Sequence, residues 1–195
     1  MSLAMAAVCR RHGQPLEIET VEVAPPEDDE IAIDIGVVSI CHSDISYAAG
    51  DWGGPTPAID GHEAAGVISA TGQGVGDLAS GQRVAISLIR SCGRCYHCQR
   101  AEDYLCVGDF PDGTPFRGMD NEPIVRGLRT GAFSSRTVVH RSQVVPIPDA
   151  LPLEVAAMLG CSVLTGFGAV TNTARVPAGA TVTVLGAGGV GINAI

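Results

Sequence analysis

The sequence predicts a β-rich domain of barrel type that leads into the first strand and glycine-rich turn of an α/β unit. Three observations carry this. Short runs rich in Val and Ile alternate with turn residues in the N-terminal part, as strands at hairpin spacing do. A glycine-containing β pattern continues through Gly61–Val75 and returns at Gly131–His140 and Gln143–Ile147. Near the C-terminal end, Thr181-Val-Thr-Val-Leu185 runs directly into Gly186-Ala-Gly188-Gly189-Val190-Gly191, a strand and a tight turn before a helix that opens at Ile192.

Taken in order, Ala4–Arg10, Leu16–Val23 and Glu30–Ser39 are the first strands, separated by His12-Gly-Gln-Pro15 and Pro25-Pro-Glu-Asp-Asp29, which is turn chemistry. Leu16–Val23 alternates with one side polar, as a half-buried antiparallel strand requires. Cys41–Ala49 reads as a short helix with Cys41 at its start, where backbone N–H groups favour a thiolate. Asp109–Arg129 reads as a long loop rich in Pro, Gly and charge, a length expected to cover a site or an interface. Asp149 is the expected N-cap of a helix over Leu153–Leu159, with Pro152 in its first turn. Gly160-Cys161-Ser162 is expected to break that helix before another spans Ser162–Thr173.

With 195 residues the chain is long enough for one sizeable domain and part of a second. All 12 basic residues are arginine and the formal net charge is −9, so nucleic acid and anionic membrane surfaces should be repelled. No run reads as long and apolar enough to cross a bilayer, because Ala178–Ile195 is broken by glycines. Met1–Val8 is apolar, but Arg10 and Arg11 follow it instead of preceding it, the wrong order for an export signal. A cytoplasmic location is the expectation.

The 7 cysteines sort by spacing. Cys92, Cys95, Cys98 and Cys106 form a C-x2-C-x2-C-x7-C run, which can wrap one ion and close a tetrahedron of thiolates, as structural zinc sites do. His97 lies inside that loop, but the shell is already complete, so it reads as exposed. Cys9 sits in an apolar run and reads as a small buried hydrophobe. His12 and His140 have no metal partners at useful spacing. There remain Cys41 and Cys161, which with His62 give two thiolates and one imidazole. Three protein ligands with a fourth position open is the donor count of a catalytic zinc.

The glycines of the Gly186–Gly191 turn, between a strand and a helix, read as a dinucleotide-binding turn. They let the backbone approach a pyrophosphate that the helix N-terminus faces.

Gly61-His62-Glu63-Ala-Ala-Gly66 through Val75 resembles the signature of the zinc-containing alcohol dehydrogenases of the medium-chain dehydrogenase/reductase superfamily. The likeness extends over the whole chain, as the N-terminal half or so of such an enzyme. It implies a GroES-like β domain (α+β) over residues 1–161, then the beginning of a Rossmann domain over 162–195, of which only the first strand and turn are in the chain. By motif, Cys41, His62 and Cys161 would hold a catalytic zinc, and Cys92, Cys95, Cys98 and Cys106 a structural one. Asp44 would fix the His62 tautomer, Glu63 would lie near the metal, and Ser43 would take the alcohol's proton. His42, Thr165 and Gly186, Gly188, Gly189, Val190 and Gly191 would contact NAD(P), and Trp52 and Leu88 would line the substrate pocket.

The activity implied is reversible hydride transfer between a primary or secondary alcohol and NAD(P)+, with the alkoxide on the zinc. The small-molecule partner is thus an alcohol or aldehyde, and the full-length protein is expected to be a homo-oligomer. One departure from liver-type members is Ser46, where they carry a relay histidine, so a proton path through Ser43 must end elsewhere. A non-catalytic zinc-binding module is the alternative. Without the second half of a dinucleotide fold, the 195-residue chain is expected not to oxidise alcohols by itself.

Overall fold

The computed structural model describes residues 1–110 and 113–195. Its strands form two five-stranded sheets. The first runs β1 (Ser2–Val8), β2 (Glu17–Val23), β7 (Phe116–Gly118), β8 (Pro123–Arg126) and β4 (Ala58–Ile59). All of its pairs are antiparallel except β4 with β8. The second runs β10 (Val144–Pro146), β6 (Arg83–Ile86), β5 (Glu63–Thr71), β3 (Glu30–Ser39) and β9 (Arg136–His140), antiparallel throughout.

Strand alternation explains how the sheets close on each other. On β3, Ile31 and Ile33 enter one apolar cluster with Ile68, Val84 and Ile86, while Ala32 enters a second with Val8, Val21, Ile59, Phe116 and Ile124. Val139 and Val138 divide in the same way on β9. Both strands are therefore walls shared by two cores, as expected of a barrel-type β domain. Phe116 is fully buried, and its truncation to Ala would cost about 3–5 kcal/mol.

The buried members of a third cluster are all alanine, Ala65, Ala85, Ala156 and Ala157, with Val37, Ile147, Leu151 and Leu153 packed against them. They let α2 (Leu153–Met158) lie close on β5 and β6. The helix does not break at Gly160–Ser162 as expected. It continues from Leu153 to Thr173, through a π-turn at Leu159–Val163, α3 (Leu164–Gly168) and a second π-turn at Ala169–Thr173. Gly160 is needed for contact, not for a break: a Cβ there would lie 2.3 Å from the carbonyl oxygen of Ile86. The N-cap is Pro152, with no side-chain bond, and not Asp149. The Asp149 carbonyl instead accepts a hydrogen bond from Arg83. By length and composition alone this helix could cross a membrane, against the expectation that no run would reach that size. Its α2 portion is nonetheless docked on the sheet through Ala156 and Ala157.

Two further expectations change. Asp109–Arg129 is not a bare loop. It contains β7, β8 and a 3-10 turn at Gly127–Arg129, anchored by Phe116 and Ile124, while Pro111 and Asp112 of that stretch lie outside the described residues. Thr181–Leu185 is not a strand. A parallel strand is stable only between neighbours with both faces covered, and here Leu185 is 94% exposed. The helix after the glycine-rich turn, α4 (Gly189–Ile192), is a single turn.

Candidate metal centre

Three distant segments converge on one point. Cys41 is the N-cap of α1 (His42–Ala49), His62 precedes Glu63 at the start of β5, and Cys161 sits in the π-turn after α2. One donor atom from each of Cys41, His62, Glu63 and Cys161 lies within 4.8 Å of all the others. Single π-turns inside helices recur at functional positions, and this one carries Cys161.

Asp44 organises this convergence. Its Oδ2 accepts from the Cys41 backbone N–H at 2.9 Å, and its Oδ1 accepts from the Gly61 N–H at 3.2 Å. The same Oδ1 lies 2.9 Å from His62 Nδ1. Asp44 and His62 are 3% and 1% exposed, so the pair is dry. With Nδ1 held by the carboxylate, Nε2 is the ring nitrogen left for the donor cluster. Gly61 makes the approach possible: its φ is +91°, and a Cβ there would lie 2.6 Å from the Phe133 nitrogen. Burial disfavours the charged imidazole, but hydrogen bonds to Asp44 and Cys161 outweigh it and raise the pKa to about 11. The donor set thus stabilises positive charge where His62 meets the cysteines. With two sulfurs, one imidazole and one carboxylate, it fits zinc.

Glu63 is 3% exposed, and Ser162 Oγ lies 3.4 Å from its Oε2. The sequence did not single out Ser162; its only signal was adjacency to Cys161. Ser43 is half-buried in the first turn of α1, and His42 beside it is exposed. Ser46 is buried.

The second cluster is built from sulfur contacts. Cys95 and Cys98 Sγ are 3.5 Å apart, Cys92 and Cys98 3.9 Å, and Cys95 and Cys106 4.0 Å. Backbone N–H groups of Cys92, Cys95 and Gly108 donate to these sulfurs at 3.3 Å. Backbone donors lower the Cys95 pKa to about 6, whereas burial and the neighbouring sulfurs push Cys98 up to about 12. Four sulfurs of which one resists ionisation suit a divalent cation, which would relieve the repulsion. His97 is half-buried rather than exposed, with Nδ1 2.9 Å from Glu102 Oε2. All seven thiols are free of disulfides, and Cys9 is buried as expected.

Trp52 and Leu88 line one cavity of about 590 Å³, together with Tyr47, His12 and Asp60. Trp52 meets Tyr47 edge to face at 5.1 Å. Burial and the neighbouring Asp44 raise the Asp60 carboxyl pKa to about 6. Asp60 was missed in the sequence, where its one signal was an acid between the apolar pair Ala58-Ile59 and Gly61-His62. The glycine-rich turn is exposed and packs against the long helix. A Cβ on Gly166 would meet the Val190 carbonyl oxygen at 2.4 Å, and one on Gly189 would meet Ser162 Cβ at 3.1 Å. Thr165 is exposed on the same helix, next to Gly166.

A barrel-type β domain with one cluster of four cysteines and one of two cysteines, histidine and glutamate defines a zinc-binding dehydrogenase-type domain. Residues 27–149 match the family of the alcohol dehydrogenase GroES-like domain, and the chain belongs to that family, among the zinc-containing alcohol dehydrogenases of the medium-chain dehydrogenase/reductase superfamily. The structure is similar to an alcohol dehydrogenase zinc-binding domain protein from Burkholderia ambifaria, with TM-score 0.92 and 31% identity over 99% of this chain and 55% of that one. It is also similar to benzyl alcohol dehydrogenase from Acinetobacter calcoaceticus, with TM-score 0.87 and 26% identity over 100% of this chain and 54% of that one. Against a cinnamyl alcohol dehydrogenase from Sorghum bicolor, the TM-score is 0.79 at 28% identity, over 99% and 54% of the two chains. The chain thus spans 44–55% of the length of the solved structures it matches.

Proposed function

We propose that the chain is the zinc-bearing part of an NAD(P)-dependent alcohol dehydrogenase that interconverts alcohols and aldehydes or ketones. The observation that carries this reading is the meeting of Cys41, His62, Glu63 and Cys161 donors within 4.8 Å. Two zinc ions per chain are proposed, one held by Cys41, His62 and Cys161, the other by Cys92, Cys95, Cys98 and Cys106. When bound, the first would supply Lewis acidity at the alcohol oxygen, and NAD(P) would supply the hydride acceptor.

The protein's own residues do the rest. Asp44 keeps a proton on His62 Nδ1 and so presents Nε2 to the donor cluster. Glu63, held by Ser162, offers a carboxylate oxygen beside that cluster. Ser43 Oγ receives the alcohol's proton and passes it outward. Ser46 cannot continue the relay as a histidine would, so the path ends in water or in another group. Thr165, His42 and the Gly186–Gly191 turn are assigned to the cofactor, and the nearness of Gly166 to Val190 supports grouping Thr165 with the turn. Trp52 and Leu88 are assigned to the substrate wall, and their sharing of one cavity supports this. Neighbours that act on benzyl and cinnamyl alcohols, by their names, favour an aryl alcohol. A thiolate cluster that must stay reduced favours the cytoplasm.

The test is metal analysis of the protein and alcohol oxidation by the full-length gene product. Two zinc equivalents and NAD(P)H formation that is lost in Cys161→Ser are expected. Full zinc loading without any hydride transfer would instead identify a metal-binding module.

A further inference from the structure

Asp60 is only 7% exposed, yet it lines the cavity of about 590 Å³ that contains Trp52 and Leu88. Among the described residues, no donor reaches its carboxylate. The carboxylate lies over Gly127, where a Cβ would come within 2.0 Å of Oδ1. The nearest imidazole in the cavity wall is already engaged: His12 Nδ1 lies 2.9 Å from the Tyr47 carbonyl and Nε2 3.1 Å from that of Gly54. Arg126 is turned to the Val138 carbonyl at 2.5 Å and to Glu30 at 3.4 Å. The carboxylate oxygens keep contact with the solvent of the cavity, so a donor that displaced that water would gain a charge-assisted hydrogen bond.

The cavity adjoins the donor cluster along two stretches of chain. Asp60 is two residues before His62. Leu88 is two residues after Ile86, whose carbonyl is the atom closest to Gly160, the neighbour of Cys161. The metal donors are not themselves part of the cavity wall, so its assignment to substrate rests on Trp52 and Leu88.

We propose that Asp60 is a specificity residue that accepts a hydrogen bond from a second hydroxyl group of the substrate, so that the preferred substrates are hydroxylated alcohols. This rests on the dehydrogenase reading for the assignment of the cavity to substrate. A neutral hydroxyl fits better than an ammonium group, because Arg129 lines the same cavity. Trp52 and Tyr47 pack the carbon frame, and Asp60 reads its far end.

Trp52 is the only tryptophan of the chain, so its fluorescence reports occupancy of the cavity. The zinc-loaded chain is titrated with cyclohexylmethanol, with cyclohexane-1,4-dimethanol, and with the analogue bearing one aminomethyl group. The diol is expected to bind about tenfold more tightly than the mono-alcohol, the usual reach of one hydrogen bond to a charged acceptor, and Asp60→Leu should abolish that difference. Should the Leu variant fail to fold, Asp60→Ala removes the acceptor while leaving space and carries the comparison. Equal affinity for diol and mono-alcohol, a preference that survives loss of Asp60, or stronger binding of the amine would each overturn the proposal. In full-length protein the kcat/KM ratio of the two alcohols is the second readout. Selective binding without NAD(P)-linked oxidation would sink the dehydrogenase reading and leave Asp60 as the binding determinant. Oxidation of both alcohols with a ratio unaffected by Asp60→Leu would do the reverse.

Discussion

Asp44 Oδ1 lies 2.9 Å from His62 Nδ1, and the other oxygen of the same carboxylate holds the Cys41 N–H that caps α1. One side chain thus orients two of the metal donors. Asp44→Asn keeps the size but removes the charge that favours a proton on Nδ1. Zinc affinity at this centre is expected to fall about 10–100-fold, measured by competition with a chromogenic chelator. Unchanged affinity would mean that the imidazole is oriented by packing alone.

The Cys92–Cys106 lobe has little apolar anchoring, with Tyr96, Tyr104, Leu105 and Val107 all exposed. Its order should depend on metal, since structural zinc supplies folding energy directly. Cys98→Ser should release one zinc equivalent and expose the lobe to proteolysis, while far-UV circular dichroism of the sheets stays. A lobe that remains resistant after chelation would contradict this.

Ser43→Ala in the full-length enzyme should lower turnover by roughly 10²–10⁴, the range of a proton-transfer contribution. The loss should appear in kcat, with chemistry shown to be rate-limiting by a deuterated alcohol. Normal turnover at neutral pH would remove Ser43 Oγ from the proton path.

Gly160→Ala places a methyl group 2.3 Å from the Ile86 carbonyl oxygen. The helix must shift, at a cost of about 1–3 kcal/mol, and Cys161 shifts with it. A lower melting temperature and loss of one zinc equivalent are expected together. A lower melting temperature with both zinc ions retained would show that the π-turn absorbs the strain.

Burial, then the charge of Asp44, raises the Asp60 carboxyl to about 6, from 3.8. For a raised pKa the stabilising contribution is complete below pH 3.8 and is lost as pH rises through 6. Wild type should therefore lose more stability between pH 5 and pH 7 than Asp60→Asn, by roughly 1 kcal/mol once solvent contact in the cavity is allowed for. Parallel pH profiles of the two proteins, followed by thermal unfolding, would refute the shift.

The parts of this structure readable in the sequence are those where chemistry fixes spacing. Four thiols at C-x2-C-x2-C-x7-C have few uses other than one ion, and their sulfurs do meet within 4.0 Å of their nearest neighbours. The strand Glu30–Ser39 was legible because Ile31, Ile33, Ile35 and Val37 recur at period two, whereas in β2 only Val21 and Val23 are buried and Ile18 is exposed. The short strands β7 and β8 were not, since each has one fully buried anchor, Phe116 or Ile124, among Pro, Gly and charge. Gly160 misled in the opposite way. Propensity reads it as a helix breaker, whereas close packing on Ile86 makes glycine the residue that keeps the helix in place. Asp60 and Ser162 were silent because a single acid or hydroxyl acquires meaning only from what burial places around it.

Ser162 touches both halves of the proposed chemistry. Its hydroxyl is 3.4 Å from Glu63, and its Cβ packs against Gly189 of the glycine-rich turn. An occupant that draws Gly189 outward or presses it inward thereby moves the hydroxyl that steadies Glu63 beside the metal donors. On the proposed function, nucleotide affinity and metal affinity would then be linked quantities. By reciprocity, whatever factor the metal confers on nucleotide binding, the nucleotide must return to the metal.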